Sequence, residues 1–113
     1  MKLHEQIEKV KETILERGFV QGRLINAQGE VCVRGAIGLT ERGLVGSFDV
    51  HGVLHRFLSR LAAERMGGAP VTIQVDGYKI RMDALPAFND THSEAEVLAF
   101  LDEAAIKAKE LEA

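Results

Sequence analysis

Apolar residues recur at positions 3, 7, 10 and 14 of the chain, as Leu3, Ile7, Val10 and Ile14. That spacing puts all four on one helical face and predicts a helix over 2–17. Glu5, Glu8, Lys9, Lys11, Glu12 and Glu16 fill much of the remaining surface. Gly18 then offers the left-handed C′ residue that ends helices, and Phe19 at C″ is placed to fold back on Ile14. A second helical stripe, Val50, Val53, Leu54, Phe57, Leu58 and Leu61, predicts a helix over about 50–66. Asp49 is its expected N-cap and Gly67-Gly68 its end, with Pro70 preventing continuation. A third, Val97, Leu101, Ala104, Ala108 and Leu111, predicts a helix over about 94–111. Ser93 with Glu96 makes a capping box for it, and Thr91 with Glu94 fits the same pattern.

Between these stripes the pattern changes. Val71, Ile73 and Val75 alternate with polar residues, as do Tyr78, Ile80 and Met82, and Asp76-Gly77 lies between the two runs. This is the pattern of a β-hairpin over 71–82 with a type I′ turn. An isolated hairpin is marginal in water, so its apolar face should pack on the helices. Residues 20–31 read either as a short hairpin about Asn26-Ala27-Gln28-Gly29 or as an irregular loop. Residues 32–39 read as a short helix or a strand. Gly35, Ala36 and Gly38 there are small enough to admit another backbone, which is a reason to keep glycine where it costs roughly 0.5–1 kcal/mol. Thr40 to Ser47 reads as a loop. Together these elements predict an α+β fold: a mostly helical single domain, 1–113, with three long helices, one short one and a hairpin around one core.

Composition narrows the function classes. Net charge is −3 with pI near 5.8, and Lys and Arg are scattered. A protein that neutralises many phosphates needs a basic surface, so no nucleic-acid partner is expected. The polar start, Met1-Lys2-Leu3-His4-Glu5-Gln6, is unlike a signal peptide, and no apolar run approaches the roughly 20 residues that span a bilayer. A cytoplasmic protein without a membrane partner is therefore expected. Cys32 is the one cysteine, too few for an internal disulfide or a multi-cysteine zinc site.

Candidate chemistry is sparse. Cys32 at the start of a helix would gain thiolate character from the helix dipole, and His51, His55 or His92 with Asn89 would complete a Cys-His-Asn set. Against this, Val31 and Val33 flank the thiol, and free cysteine is usually buried, so a structural thiol is favoured. His51 and His55 have the spacing to share a metal ion. The segment lacks the glutamate of an HExxH motif and has no third ligand, so solvated histidines are favoured. Asn89-Asp90 is expected to form the turn into the last helix. The 35–38 segment has neither GxGxxG nor Walker A spacing, and there is no GxSxG elbow, so no cofactor is expected.

Several segments, in order, carry a resemblance. They are Arg17-Gly18-Phe19-Val20-Gln21-Gly22, then Gly29-Glu30-Val31-Cys32-Val33-Arg34-Gly35-Ala36-Ile37, then Phe88-Asn89-Asp90 ahead of Glu96-Val97-Leu98-Ala99-Phe100. They resemble an uncharacterised family of small proteins of actinobacteria and their phages, a domain of unknown function. Its pattern is similar: Arg-Gly-aromatic, Gln-Gly, Cys-x-x-Gly-Ala, and Trp-Asn-Asp before a final helix. Phe88 stands where that family has Trp, and the 71–82 hairpin looks like an insertion. The resemblance implies a fold and no activity. It does suggest that Cys32, Asn89 and Asp90 line one binding pocket if the 32–39 helix and the 88–93 turn meet.

The expected function is a small non-enzymatic binding protein, phage- or prophage-encoded, acting on a host protein through the hairpin or the exposed part of the last helix. A homodimer is a further expected partner. The alternatives are a cysteine-dependent enzyme using Cys32 with a histidine, and a protein that sequesters a small ligand.

Overall fold

A computed structural model describes residues 1–68 and 71–112, with backbone alone for 71–75 and 79–82. Five helices carry the fold: α1 (Leu3–Arg17), α2 (Val33–Arg42), α3 (Val53–Arg65), α4 (Ala84–Thr91) and α5 (Glu94–Glu112). Helix α1 lies at the centre and packs on α5, α2 and α3, while α4 packs on α3 and α2. The buried cluster is built from helical faces. It includes Ile7, Val10 and Ile14 of α1, Ala36 and Ile37 of α2, Leu54, Leu58 and Ala62 of α3, Leu85 and Phe88 of α4, and Val97, Leu101 and Ala104 of α5. Fully burying an Ile or Leu side chain contributes roughly 1.5–3 kcal/mol, so this stripe-on-stripe packing dominates stability.

The α+β expectation is corrected to a helical fold. The element pairs that pack to form the core are helix on helix. The chain between α3 and α4 runs out and back as a two-stranded ribbon, β1 (Val71–Val75) and β2 (Tyr78–Met82), whose strands pair with each other. A ribbon of this kind is not a sheet layer on which a core is built. The expected packing of its apolar face concerns side chains outside the described residues.

Sequence and structure agree closely at α1 and α5. The Glu5 carboxylate accepts the Lys2 N–H at the start of α1. Ser93 and Glu96 form the expected capping box, with Ser93 Oγ accepting from Glu96 N–H at 3.2 Å and Glu96 Oε1 accepting from Ser93 N–H at 2.9 Å. Those bonds hold the Glu96 carboxyl below the usual carboxylate range. Gly18 ends α1 with φ 93° and ψ 168°, an extended mirror-image conformation and not the left-handed helical one expected. The chain leaves straight, and Val31 N–H bonds the Gly18 carbonyl. Leu111 is 76% exposed, so the α5 seam ends a turn earlier than its spacing implied.

Residues 20–31 form a loop with single bridges, Phe19 to Val31 and Ile25 to Val31. Asn26 closes its turn by accepting the N–H groups of Gln28 and Glu30. Helix α2 is a helix and not a strand, and it runs three residues beyond 39. Thr40 Oγ donates back to the Ala36 carbonyl, and Gly43, in the left-handed region, ends it. A Cβ on Gly35 would stand 2.5 Å from the Leu24 carbonyl oxygen, which is the close backbone approach its small size permits.

Helix α3 starts three residues later than expected. Asp49 does not cap it. Its carboxylate accepts the His51 N–H in a preceding turn, and Gly52 occupies the cap position. The buried stripe accordingly consists of Leu54, His55, Leu58 and Ala62, leaving Val53 71% exposed. Helix α4 was not foreseen at all.

Candidate functional site

Cys32, Asn89 and Asp90 are brought together in one cleft of about 230 Å³ between the start of α2, the side of α4 and the loop Gly22–Leu24. The cleft is framed by helices because Asn89-Asp90 lies inside α4 and is not the expected turn. Pro86 falls in the first turn of α4, where a missing N–H costs nothing. Leu85, Phe88 and Asn89 then share its buried face.

Asn89 is 1% exposed and bonded on every side. Its Oδ1 accepts the Val33 N–H at 3.0 Å, satisfying the first helical N–H of α2. Its Nδ2 donates to the Val20 carbonyl at 3.1 Å and to Asp90 Oδ1 at 3.0 Å. Its own carbonyl accepts from Gln21 Nε2, which also donates to the His92 carbonyl. Asp90 Oδ1 in turn accepts the Gly22 N–H at 2.9 Å. The pair is a clamp fastening the loop after α1, the start of α2 and α4 to one another.

Cys32 is the N-cap of α2, and its Sγ accepts the Gly35 N–H at 3.4 Å. Burial pushes its thiol above the ordinary value, and the Asp90 charge adds to this. The N–H groups of Gly35 and Arg34 pull the other way and are outweighed. A nucleophilic thiolate at neutral pH needs the reverse balance. No histidine lines the cleft. His92 stacks on the Phe88 ring with centroids 3.8 Å apart and bonds the Phe88 carbonyl. His51 is exposed. The Cys-His-Asn set is therefore not assembled.

His55 is 3% exposed, correcting the expectation that it points into solvent. It shares the buried face of α3 with Leu54 and Leu58. Its Nε2 accepts from Arg34 Nε at 3.1 Å, and its Nδ1 lies 3.3 Å from Ser59 Oγ. Arg34 reaches across the same junction to Asp83 with an N–O distance of 2.7 Å, its guanidinium 5.2 Å from the centre of the Phe48 ring. With Nε2 so engaged, His51 and His55 do not present a shared metal site. Among the described residues no group of three or more His, Cys, Asp or Glu side chains is placed to hold a metal ion.

A second region lies on the outside of α3. Val53, Arg56, Phe57 and Arg60 line a shallow hollow there. It continues into a groove of about 430 Å³ against α5, where Phe57, Leu61 and Leu111 supply the apolar lining and Arg60, Lys107, Glu64 and Glu110 the charged one. Arg56 and Arg60 are one helical turn apart, and neither side chain makes an ion pair or hydrogen bond with a described residue. By contrast, Arg65 on the next turn pairs with Glu103 of α5. No helix among the described residues is long and apolar enough to cross a membrane.

Residues 2–107 match the family of unknown function DUF6197. The chain belongs to that family. No curated protein and no solved structure matches it.

In this DUF6197 chain the residues that gave the sequence its resemblance are those of the clamp and of the close approach at Gly35. Asp83, Arg56 and Arg60 carried no such mark, and Arg34 stands at a variable position of the Cys-x-x-Gly-Ala pattern. The spacing of Arg56 and Arg60, four apart and interleaved with Val53 and Phe57, was the available signal. It was obscured because Val53, which is exposed, was assigned to the core face together with Phe57, which does pack there.

Proposed function

We propose that this DUF6197 protein is a small non-enzymatic binding protein, encoded by an actinobacterium or its phage, that acts on a host protein. Its docking surface is the outer face of α3 with the adjoining α5 groove. The observation supporting this is exposed Val53, beside half-buried Phe57, next to two guanidinium groups, Arg56 and Arg60, that no described residue engages, on a chain whose net charge is −3. Exposed apolar residues beside unspent charge mark an interaction site. The complementary occupant is an acidic segment of a partner protein with one or two apolar anchors. Its apolar side chains fill the groove over Phe57 and Leu61, and its carboxylates meet Arg56 and Arg60 in the hollow that Glu64 and Glu110 do not line. The committed hydrogen bonds of Asn89 and the raised thiol of Cys32 favour this reading over a cysteine-dependent enzyme.

A photo-crosslinking side chain placed at Val53, in a lysate of the cells that carry the protein, tests the proposal. The expected product joins position 53 to a segment rich in Asp, Glu and aliphatic residues of a different protein, and the yield collapses in the R56E/R60E variant. Crosslinks to a second copy of this chain, or a yield unaffected by the charge reversal, would overturn it.

A further inference from the structure

We infer that Arg34, His55 and Asp83 form a proton-sensitive latch, which ties α2, α3 and the start of α4 together while His55 is neutral and opens when His55 takes up a proton. The hydrogen-bond chemistry fixes the closed state. An arginine Nε carries a hydrogen and can only donate. The 3.1 Å contact from Arg34 Nε therefore requires a bare lone pair on His55 Nε2. The single ring proton must sit on Nδ1, where Ser59 Oγ is 3.3 Å away and accepts it.

A second proton on His55 would set N–H against N–H and cation against cation at that contact. At the wall of a hollow shared with His51, Arg56, Arg60 and Asp83, the residue is only 3% exposed. The Phe48 ring stacks on it with centroids 6.0 Å apart.

The other charged groups around it do not offset the clash. Asp83, at the cap of α4, is already engaged by Arg34 Nη2 at 2.7 Å. Asp49, in the turn before α3, has Oδ1 occupied by the His51 N–H. On the open side of the hollow stand His51, Arg56 and Arg60, all bases. Burial first, and Arg34 second, hold the His55 imidazole below its ordinary pKa of 6.5, against the smaller opposing pull of Asp83 and Asp49.

The unfolded chain thus takes up this proton at a higher pH than the folded chain does. The latch contributes its full stability above pH 6.5, and that contribution is lost as pH falls through 6.5 toward the depressed value. Arg34 also lines the α2–α4 cleft beside Cys32, so opening the latch uncovers the thiol.

The test is a titration of the whole chain from pH 8 to pH 5, reading the imidazole nitrogens by NMR. In parallel, Cys32 is reacted with 4,4′-dithiodipyridine, a disulfide that thiols attack even in acid, releasing thiopyridone. The expected result is an Nδ1–H tautomer for His55 and a midpoint below 6.5. The Cys32 rate should rise through the same interval by up to about tenfold per pH unit, the slope one linked proton allows. In H55Q, neutral at every pH, the rise should vanish. An Nε2–H tautomer, a midpoint at or above 6.5, or an unchanged Cys32 profile in H55Q would overturn the latch. Should H55Q fail to fold, the wild-type tautomer and midpoint decide the matter.

Discussion

The α2–α4 cleft and the outer face of α3 both present polar side chains beside apolar ones, yet they spend their bonding capacity in opposite ways. In the cleft, each hydrogen-bonding atom of the Asn89 side chain points at another part of the same chain, and among the described residues no buried side-chain nitrogen or oxygen lacks a partner. On α3, Arg56 and Arg60 stand beside exposed Val53, and no described residue engages their donors. Polar residues that recur in a motif can thus be architecture, and unremarkable surface residues can be what is left over for a partner.

The sharpest way to break this contrast is N89A. It strands the Val33 N–H and the Val20 carbonyl in the interior, and each buried unsatisfied group costs about 1–3 kcal/mol. A loss of about 3 kcal/mol or more is expected in denaturant unfolding. A near-neutral N89A would mean the clamp is not structural and would reopen the cleft as a ligand site. Next comes G35A, where a methyl would meet the Leu24 carbonyl oxygen at 2.5 Å. Overpacking of this kind costs about 1–3 kcal/mol, read as a lower urea midpoint at unchanged slope.

Cys32 gives a smaller effect. C32S keeps an N-cap acceptor and should change stability by no more than about 1 kcal/mol. Iodoacetamide should modify the folded wild-type thiol far more slowly than the unfolded one. Equal rates would show that burial does not protect Cys32. Smallest on stability, and most telling for function, is V53E. Val53 is the exposed first residue of α3, beside its Gly52 cap, where a carboxylate meets the helix dipole favourably. Stability should therefore change by no more than about 1 kcal/mol. It should nevertheless abolish capture of an acidic partner segment, and intact binding would remove α3 from the proposed surface.

How much of this was legible in the sequence depended on whether a local rule met a competitor. Helices α1 and α5 were legible because period, cap and charge agreed at Ile7, Val10, Ser93 and Glu96. The close approach at Gly35 was also legible, since small residues clustered there have few other uses. Helix α4 was hidden because Pro86, Asn89 and Asp90 are turn residues by propensity. Only tertiary bonds to Val33 and Val20 make a helical Asn89 favourable. His55 was hidden because the apolar stripe led with Val50 and Val53, which centres the face near Leu61. The buried residues Leu54, His55, Leu58 and Ala62 centre it about a quarter turn away.

The pairing of α1 with α5 has a consequence for how the chain is made. Ile7, Val10 and Ile14 are synthesised early, while the face they bury against, Val97, Leu101 and Ala104, is synthesised after every other helix. Until α5 has emerged, α2 and α3 cover only part of that stripe and the portion α5 buries stays bare. The interval between the first helix and the fifth is therefore when aggregation or chaperone capture competes with folding.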